Sequence, residues 1–157
     1  MTQILRFLQL FALGSWVGSI VYFSSVVTLG AFRALADRDQ AGALVGYTLR
    51  GLHAFGLIAA IIYLLAALGL GRSLKALWAP AALGVILMFV LTLVSERMII
   101  ARMETLRTEM ISVEATAVTN PLRAEFDRLH QVSVRLEGAV LLIGLVAFFL
   151  TVQGDRR

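Results

Sequence analysis

Residues 51–71, GLHAFGLIAAIIYLLAALGLG, carry no charge between Arg50 and Arg72. These 21 residues match the length an α-helix needs to cross the hydrocarbon core of a bilayer, which is about 20 residues. Three more windows of this kind lie along the chain. There are 26 uncharged residues between Arg6 and Arg33, 20 between Lys75 and Glu96, and 17 between Glu137 and Asp155. The sequence therefore reads as all-α: a four-helix transmembrane bundle, antiparallel and up-down, forming one domain over 1–157. The expected spans are about 7–32, 51–71, 76–97 and 134–153. The fourth is the shortest and the most polar at one end.

Composition agrees with this reading. The chain is 59% hydrophobic and 15% charged, with a mean hydropathy of +0.86. Soluble domains average roughly 45–50% apolar and about 25% charged residues. The first window is far longer than the roughly 7–15 apolar residues of a signal-peptide core, so it is expected to remain as a span. The absence of cysteine excludes disulfides, thiolate metal sites and cysteine nucleophiles. The net charge of +4 bears on membrane topology, and no basic patch interleaved with aromatics points to nucleic acid.

The connections set the topology. Asp37-Arg38-Asp39 joins helices 1 and 2, with Asp39 as the expected N-cap and a helix start near Gln40. Gly71 to Lys75 is a short turn, and Trp78 and Pro80 open helix 3. Helix 3 is expected to run past the membrane on a stripe of Ile99, Met103, Leu106, Met110 and Val113, spaced at coiled-coil period. Asn120-Pro121 is a strong helix start. Leu122, Phe126, Leu129, Ser133, Leu136 and Val140 continue the stripe, so helices 3 and 4 should extend beyond the membrane as a hairpin turning at Glu114 to Thr119. We call that side B, and the side of the termini and the Arg72–Lys75 turn side A. Side A carries Arg6, Arg72, Lys75, Arg156 and Arg157 against Asp155. A raw count of Lys and Arg favours side B inside, whereas this unbalanced positive turn and tails favour side A; both termini are expected in the cytoplasm, because most side-B basic residues can pair with acids on their own helix.

Two groups of residues stand out. Gly14 with Gly18 and Ser15 with Ser19 form small-residue pairs suited to close helix packing, inside the bundle or between copies, and Trp16 between them is a further candidate packing residue. The second group gathers at side B: His53 and His130, with Arg50, Glu96, Arg97, Ser133 and Glu137 near the hydrocarbon boundary. An ionisable residue inside a span costs roughly 2.5–3.5 kcal/mol at the helix centre and less at its edge. Glu96 and Glu137 are therefore expected to find cationic partners, with Arg97, Arg50 and Arg33 as candidates. The bland reading is an ion-pair layer tying the helices together. The sharper one is a polar site open to side B, in which His53 and His130 could ligate haem b or a metal ion. No Ser/His/Asp set, HExxH motif or phosphate loop is present, so no enzyme activity is expected.

Three blocks carry a family resemblance: LRFLQLFALGSWVGSIVYFSSVV at 5–27, AGALVGYTLRGLHAFGLIA at 41–59 and FDRLHQVSVRLEGAVLLIGL at 126–145. They resemble the small bacterial membrane proteins related to eukaryotic transmembrane protein 205, a family without an assigned function. The resemblance implies a multi-pass protein of the bacterial inner membrane with no established enzyme activity. It marks Trp16, Gly18, His53, Phe126, His130 and Ser133 as family-typical positions. Members of that family commonly place a proline after the valines that close span 1; Thr28-Leu29 stands there instead, which removes the residue that would kink the helix. A weaker resemblance to copper-resistance membrane domains and to the haem-binding protoporphyrinogen oxidase type keeps a histidine-bound cofactor in view. The expected role is a non-enzymatic structural or accessory membrane subunit, acting through helix packing as a homo-oligomer or within a larger complex. A small-solute transporter formed by an oligomer is a further alternative.

Overall fold

The computed structural model describes residues 1–154. Asp155, Arg156 and Arg157, counted above on side A, lie outside the described residues. Four helices account for most of the chain: α1 (Thr2–Ala34), α2 (Arg38–Gly71), α3 (Pro80–Met110) and α4 (Pro121–Gly154). Each is long and apolar enough to cross a membrane. Consecutive helices pack side by side, and α4 closes the ring against α1, while α2 and α4 stand diagonally. Short connections between packed neighbours make the helices antiparallel. The expected four-helix transmembrane bundle is the fold.

Burial is inverted relative to a soluble bundle. Phe7, Phe11, Ile58, Leu65, Leu142 and Phe149 point outward. Such a continuous apolar exterior requires lipid as its solvent. The interior is filled by Leu13, Trp16, Ile20, Val85, Met88 and Val140. Glycine permits the closest approaches. A methyl group on Gly56 would run into the indole of Trp16, and one on Gly144 would meet Val17 at 2.8 Å and Met88 at 2.9 Å. The small-residue pair singled out in the sequence behaves differently. Gly14 packs against Phe148 of α4, and Gly18 is exposed with open space around it.

Two helices are not uniform. α1 widens into a π-helical turn at Phe23–Val27 and α3 does so at Ser95–Ile100. The first lies at the place where a proline would have kinked span 1, so the winding changes there without one. The second absorbs one extra residue and rotates the rest of α3. Ile100, not the expected Ile99, is therefore buried, followed by Leu106. On α4 the stripe holds at heptad spacing, with Phe126, Ser133 and Val140 buried.

The ends differ in detail from expectation. Asp37, not Asp39, caps α2, accepting from the amides of Asp39 at 2.8 Å and Gln40 at 3.1 Å, so the helix begins at Arg38. Residues 74–78 form a 3-10 turn. α3 then starts at Pro80, because the residue before a proline avoids helical geometry and Ala79 is extended. Asn120 does cap α4, accepting from the Leu122 amide at 2.9 Å.

The hairpin is present and latched. Arg102 donates two hydrogen bonds to Glu125, at 2.9 and 3.0 Å, and Arg107 lies over the Phe126 ring. α3 ends at Met110, three residues before the predicted Val113. The reason is Asp39, whose carboxylate accepts from the Ser112 hydroxyl at 2.6 Å and from the amides of Val113 and Glu114 at 3.0 and 3.3 Å. These bonds hold the tip of the hairpin onto the first turn of α2. The exit from α3 is a tight turn in which Ile111 takes φ 66, ψ −49 and the Ser112 amide donates to Met110 at 2.7 Å, a strained conformation for a β-branched residue.

Two outcomes follow from the packing and the latch. Gly56→Ala should lower the thermal unfolding temperature in detergent sharply, by an overpacking cost of about 1–3 kcal/mol, whereas Gly18→Ala should leave it nearly unchanged. Hydrogen bonds from Ser112 and the loop amides hold the Asp39 carboxyl below its ordinary range, and Arg102 does the same for Glu125. A lowered carboxylate contributes stability above its unfolded pKa and loses it as pH falls through the folded value. The tip should therefore loosen in acid, below the ordinary carboxylate range. Asp39→Ala should reproduce that loosening at neutral pH, read as faster hydrogen exchange at the amides of 113 and 114.

Candidate functional site

At side B the four helices cease to form a closed ring. α4 packs against α1 up to Tyr22 but not against the part of α1 beyond it, among the described residues. The two helices part there and leave a cleft of about 1180 Å³. Ile20, Phe23, Ser24, Thr28 and Phe32 of α1 form one wall, and Ser133, Val134, Glu137, Gly138 and Leu141 of α4 form the other. The loop from Val113 to Val118 roofs it, and Arg38, Asp39, Arg107, Arg123 and Asp127 line the end under that roof. The first π turn supplies Phe23 and Ser24 to the wall, and the second ends at Ile100, which also lines the cleft. Gly138 and Val134 are exposed, as are Leu29 and Phe32 opposite, so the cleft opens sideways between α1 and α4, within the stretches expected from the sequence as spans.

Glu137 links the inner end of this cleft to the bundle interior. Its carboxylate lies 3.2 Å from His53 Nε2, while Glu96 lies 2.8 Å from His53 Nδ1. His53 is 2% exposed, Glu137 14% and Glu96 26%. Arg50, one turn along α2, approaches Glu96 at 4.0 Å and Glu104 at 3.9 Å. The imidazole thus bridges α3 and α4 from α2, including the diagonal across the bundle. A neutral imidazole has one N–H. Two carboxylates on its two nitrogens therefore require a second proton, either on the ring or on a carboxyl. An imidazolium, two carboxylates and Arg50 sum to zero charge, which suits a site at the edge of the hydrocarbon.

The sequence named all three members of this bridge but not their pairing. It looked for arginine partners, and of the three candidates only Arg50 comes near Glu96; Arg33 and Arg97 are exposed and form no ion pair among the described residues. The counter-charge for Glu137 comes from His53. Nor are the two histidines brought together. His130 is exposed on the cleft wall, seven residues before Glu137 on α4, roughly 10 Å further along the axis at 1.5 Å per residue. Both nitrogens of His53 are engaged by carboxylates, which leaves no lone pair directed at a shared iron or metal. Among the described residues no group of three or more His, Asp or Glu has the arrangement to hold a metal ion.

Among the described residues two hydroxyls near the bridge lack partners. Ser133, 6% exposed, lines the cleft one turn from Glu137 and makes no hydrogen bond among the described residues. Ser95, beside Glu96, is likewise buried without a partner among the described residues. Sequence reading missed the cleft itself and the contribution of Phe23, Ser24 and Thr28, because nothing in an uncharged span marks where two helices will diverge. At side A a smaller cavity of about 510 Å³ is lined by Arg6, Gln9, Tyr63 and Thr151, with Tyr63 and Thr151 hydrogen-bonded at 2.8 Å. An apolar layer containing Trp16, Val17, Met88 and Val140 separates the two cavities.

His53→Ala should leave two carboxylates at the bilayer edge without their shared partner. The loss expected for breaking such a pair is about 3–5 kcal/mol, read as a lower unfolding temperature in detergent. His130→Ala should unfold like the parent.

No curated protein matches this chain, and no solved structure does. A family model matches residues 11–112, more than half of the chain, taking in most of α1 and all of α2 and α3, with Trp16, His53 and Glu96. The chain belongs to the family described as Domain of unknown function (DUF4149).

Proposed function

We propose that this membrane protein acts as a non-enzymatic binding protein that takes an amphiphilic small molecule sideways from the bilayer into the cleft between α1 and α4. The cleft itself carries the proposal. Ligand sites run to roughly 300–1000 Å³, apolar with a few polar groups, and this one offers about 1180 Å³ with apolar walls and a single carboxylate at its inner end. An apolar tail would lie between Phe23 and Leu141, with the polar end at Glu137 and Ser133 or under the charged roof. The absence of a complete catalytic set favours binding over turnover. The apolar layer between the two cavities weighs against a solute path across the bilayer.

The kinship with proteins related to eukaryotic transmembrane protein 205 belongs to the same proposal and rests on the three sequence blocks quoted above. So does the placement in a bacterial inner membrane with cytoplasmic termini, which would open the roofed end of the cleft to the opposite face.

Gly138 supplies the test. It lines the cleft with open space around it, so Gly138→Phe should fill the site without disturbing the bundle. The variant should keep the parent's unfolding temperature and bind a solvatochromic amphiphilic dye at least about tenfold more weakly, a difference of about 1.4 kcal/mol. Equal dye binding by parent and variant would dismiss the cleft as the site.

A second reading, an accessory subunit in a homo-oligomer or larger complex, has its own observation. Tyr47, Ile111 and Val118 are 78%, 93% and 74% exposed on the side-B extension. Replacing Ile111 and Val118 with Ser should reduce cross-linking between copies in native membranes, and unchanged cross-linking would remove the tip as a contact surface.

A further inference from the structure

The inner end of the cleft has a sign. At the depth of the spans, Glu137 is the one charged side chain among the described residues that line it. Over the whole lining, five carboxylates (Asp39, Glu104, Glu114, Asp127 and Glu137) stand against three guanidiniums, Arg38, Arg107 and Arg123. Ser133, 6% exposed and without a hydrogen-bond partner among the described residues, adds an unused hydroxyl one turn away. Phe23 and Phe32 contribute aromatic rings to the lining, and ring faces attract cations. These features fit an apolar molecule bearing one positive charge.

We infer that the cleft takes a lipophilic monocation against Glu137, and that its binding expels one proton from the Glu96–His53–Glu137 group. The inference rests on the cleft being a binding site. In the empty state the group holds two protons, whether as an imidazolium between two carboxylates or as a neutral ring and one carboxyl. An arriving cation gives Glu137 a new counter-charge. The proton between Nε2 and Glu137 leaves to water in the cleft, and the proton shared by Nδ1 and Glu96 stays. One positive charge enters and one leaves, so the group keeps its total. The surroundings are otherwise sparse in charge. Arg50 flanks Glu96 and Glu104 flanks Arg50; the stretch of α1 that lines the cleft, from Ile20 to Phe32, carries no charge, and His130 stands two turns along α4.

The full-length protein in lipid nanodiscs tests this with tetraphenylphosphonium and, as a neutral comparator of similar bulk, triphenylphosphine oxide. The cation should bind with release of about one proton in weak buffer, and its affinity should rise with pH, by up to about tenfold per unit for one coupled proton. Glu137→Gln should lower cation affinity by about tenfold or more, about 1.4 kcal/mol, a larger loss than for the comparator, and end proton release. His53→Gln, which keeps the carboxylates, should bind the cation with a flattened pH dependence. Should both compounds bind the parent equally without proton release, the charge exchange is overturned while the cleft stands. Cation binding independent of pH overturns the exchange as well. Binding of neither compound overturns the cleft reading, and this inference with it.

Discussion

Everything at side B depends on one buried imidazole held between two carboxylates. His53 sits on α2, Glu96 on α3 and Glu137 on α4, and none of the three could remain charged alone at the edge of the hydrocarbon. Together with Arg50 they form a neutral group that fixes the rotation of three helices at one level. A diagonal pair such as α2 and α4 makes no close backbone approach in this bundle. The His53–Glu137 bond at this level and the Tyr63–Thr151 bond near side A cross that diagonal instead.

The cleft is what remains when the fourth helix is held in this way. α4 is pulled toward α2 and α3 by His53 and by the Arg102–Glu125 pair of the hairpin. α1 is held to α2 by the fit of Trp16 over Gly56, and its end beyond the π turn follows α2. The outer parts of α1 and α4 are thus drawn to different neighbours and separate. Asp39 then closes the top by binding the loop that joins α3 to α4. A residue that looked like a helix cap is the tie between the roof and the wall of the cavity.

The two π turns have a common consequence. Each changes the face that its helix shows beyond it. On α1 the turn turns Phe23 and Ser24 into the cleft; on α3 it ends in Ile100, which closes the same space from below the roof. Wide turns of this kind recur at functional sites, and here both border the same cavity.

Length and charge placement along the chain determined four membrane helices, their order and their alternation, because a charge in hydrocarbon costs several kcal/mol and the windows can be counted. The same penalty singled out His53, Glu96 and Glu137, since ionisable residues that close to a span must be satisfied. The Asn120-Pro121 start of α4 was legible because capping is local. Which partner satisfied which carboxylate was not, since pairing depends on helix rotation, and the π turns shift rotation without leaving a mark in composition. The separation of His53 from His130, the close contact at Gly56 rather than Gly18, and the cleft between α1 and α4 were decided by tertiary packing alone. They arise from how side chains on different helices meet across the bundle, and no single segment contains that information.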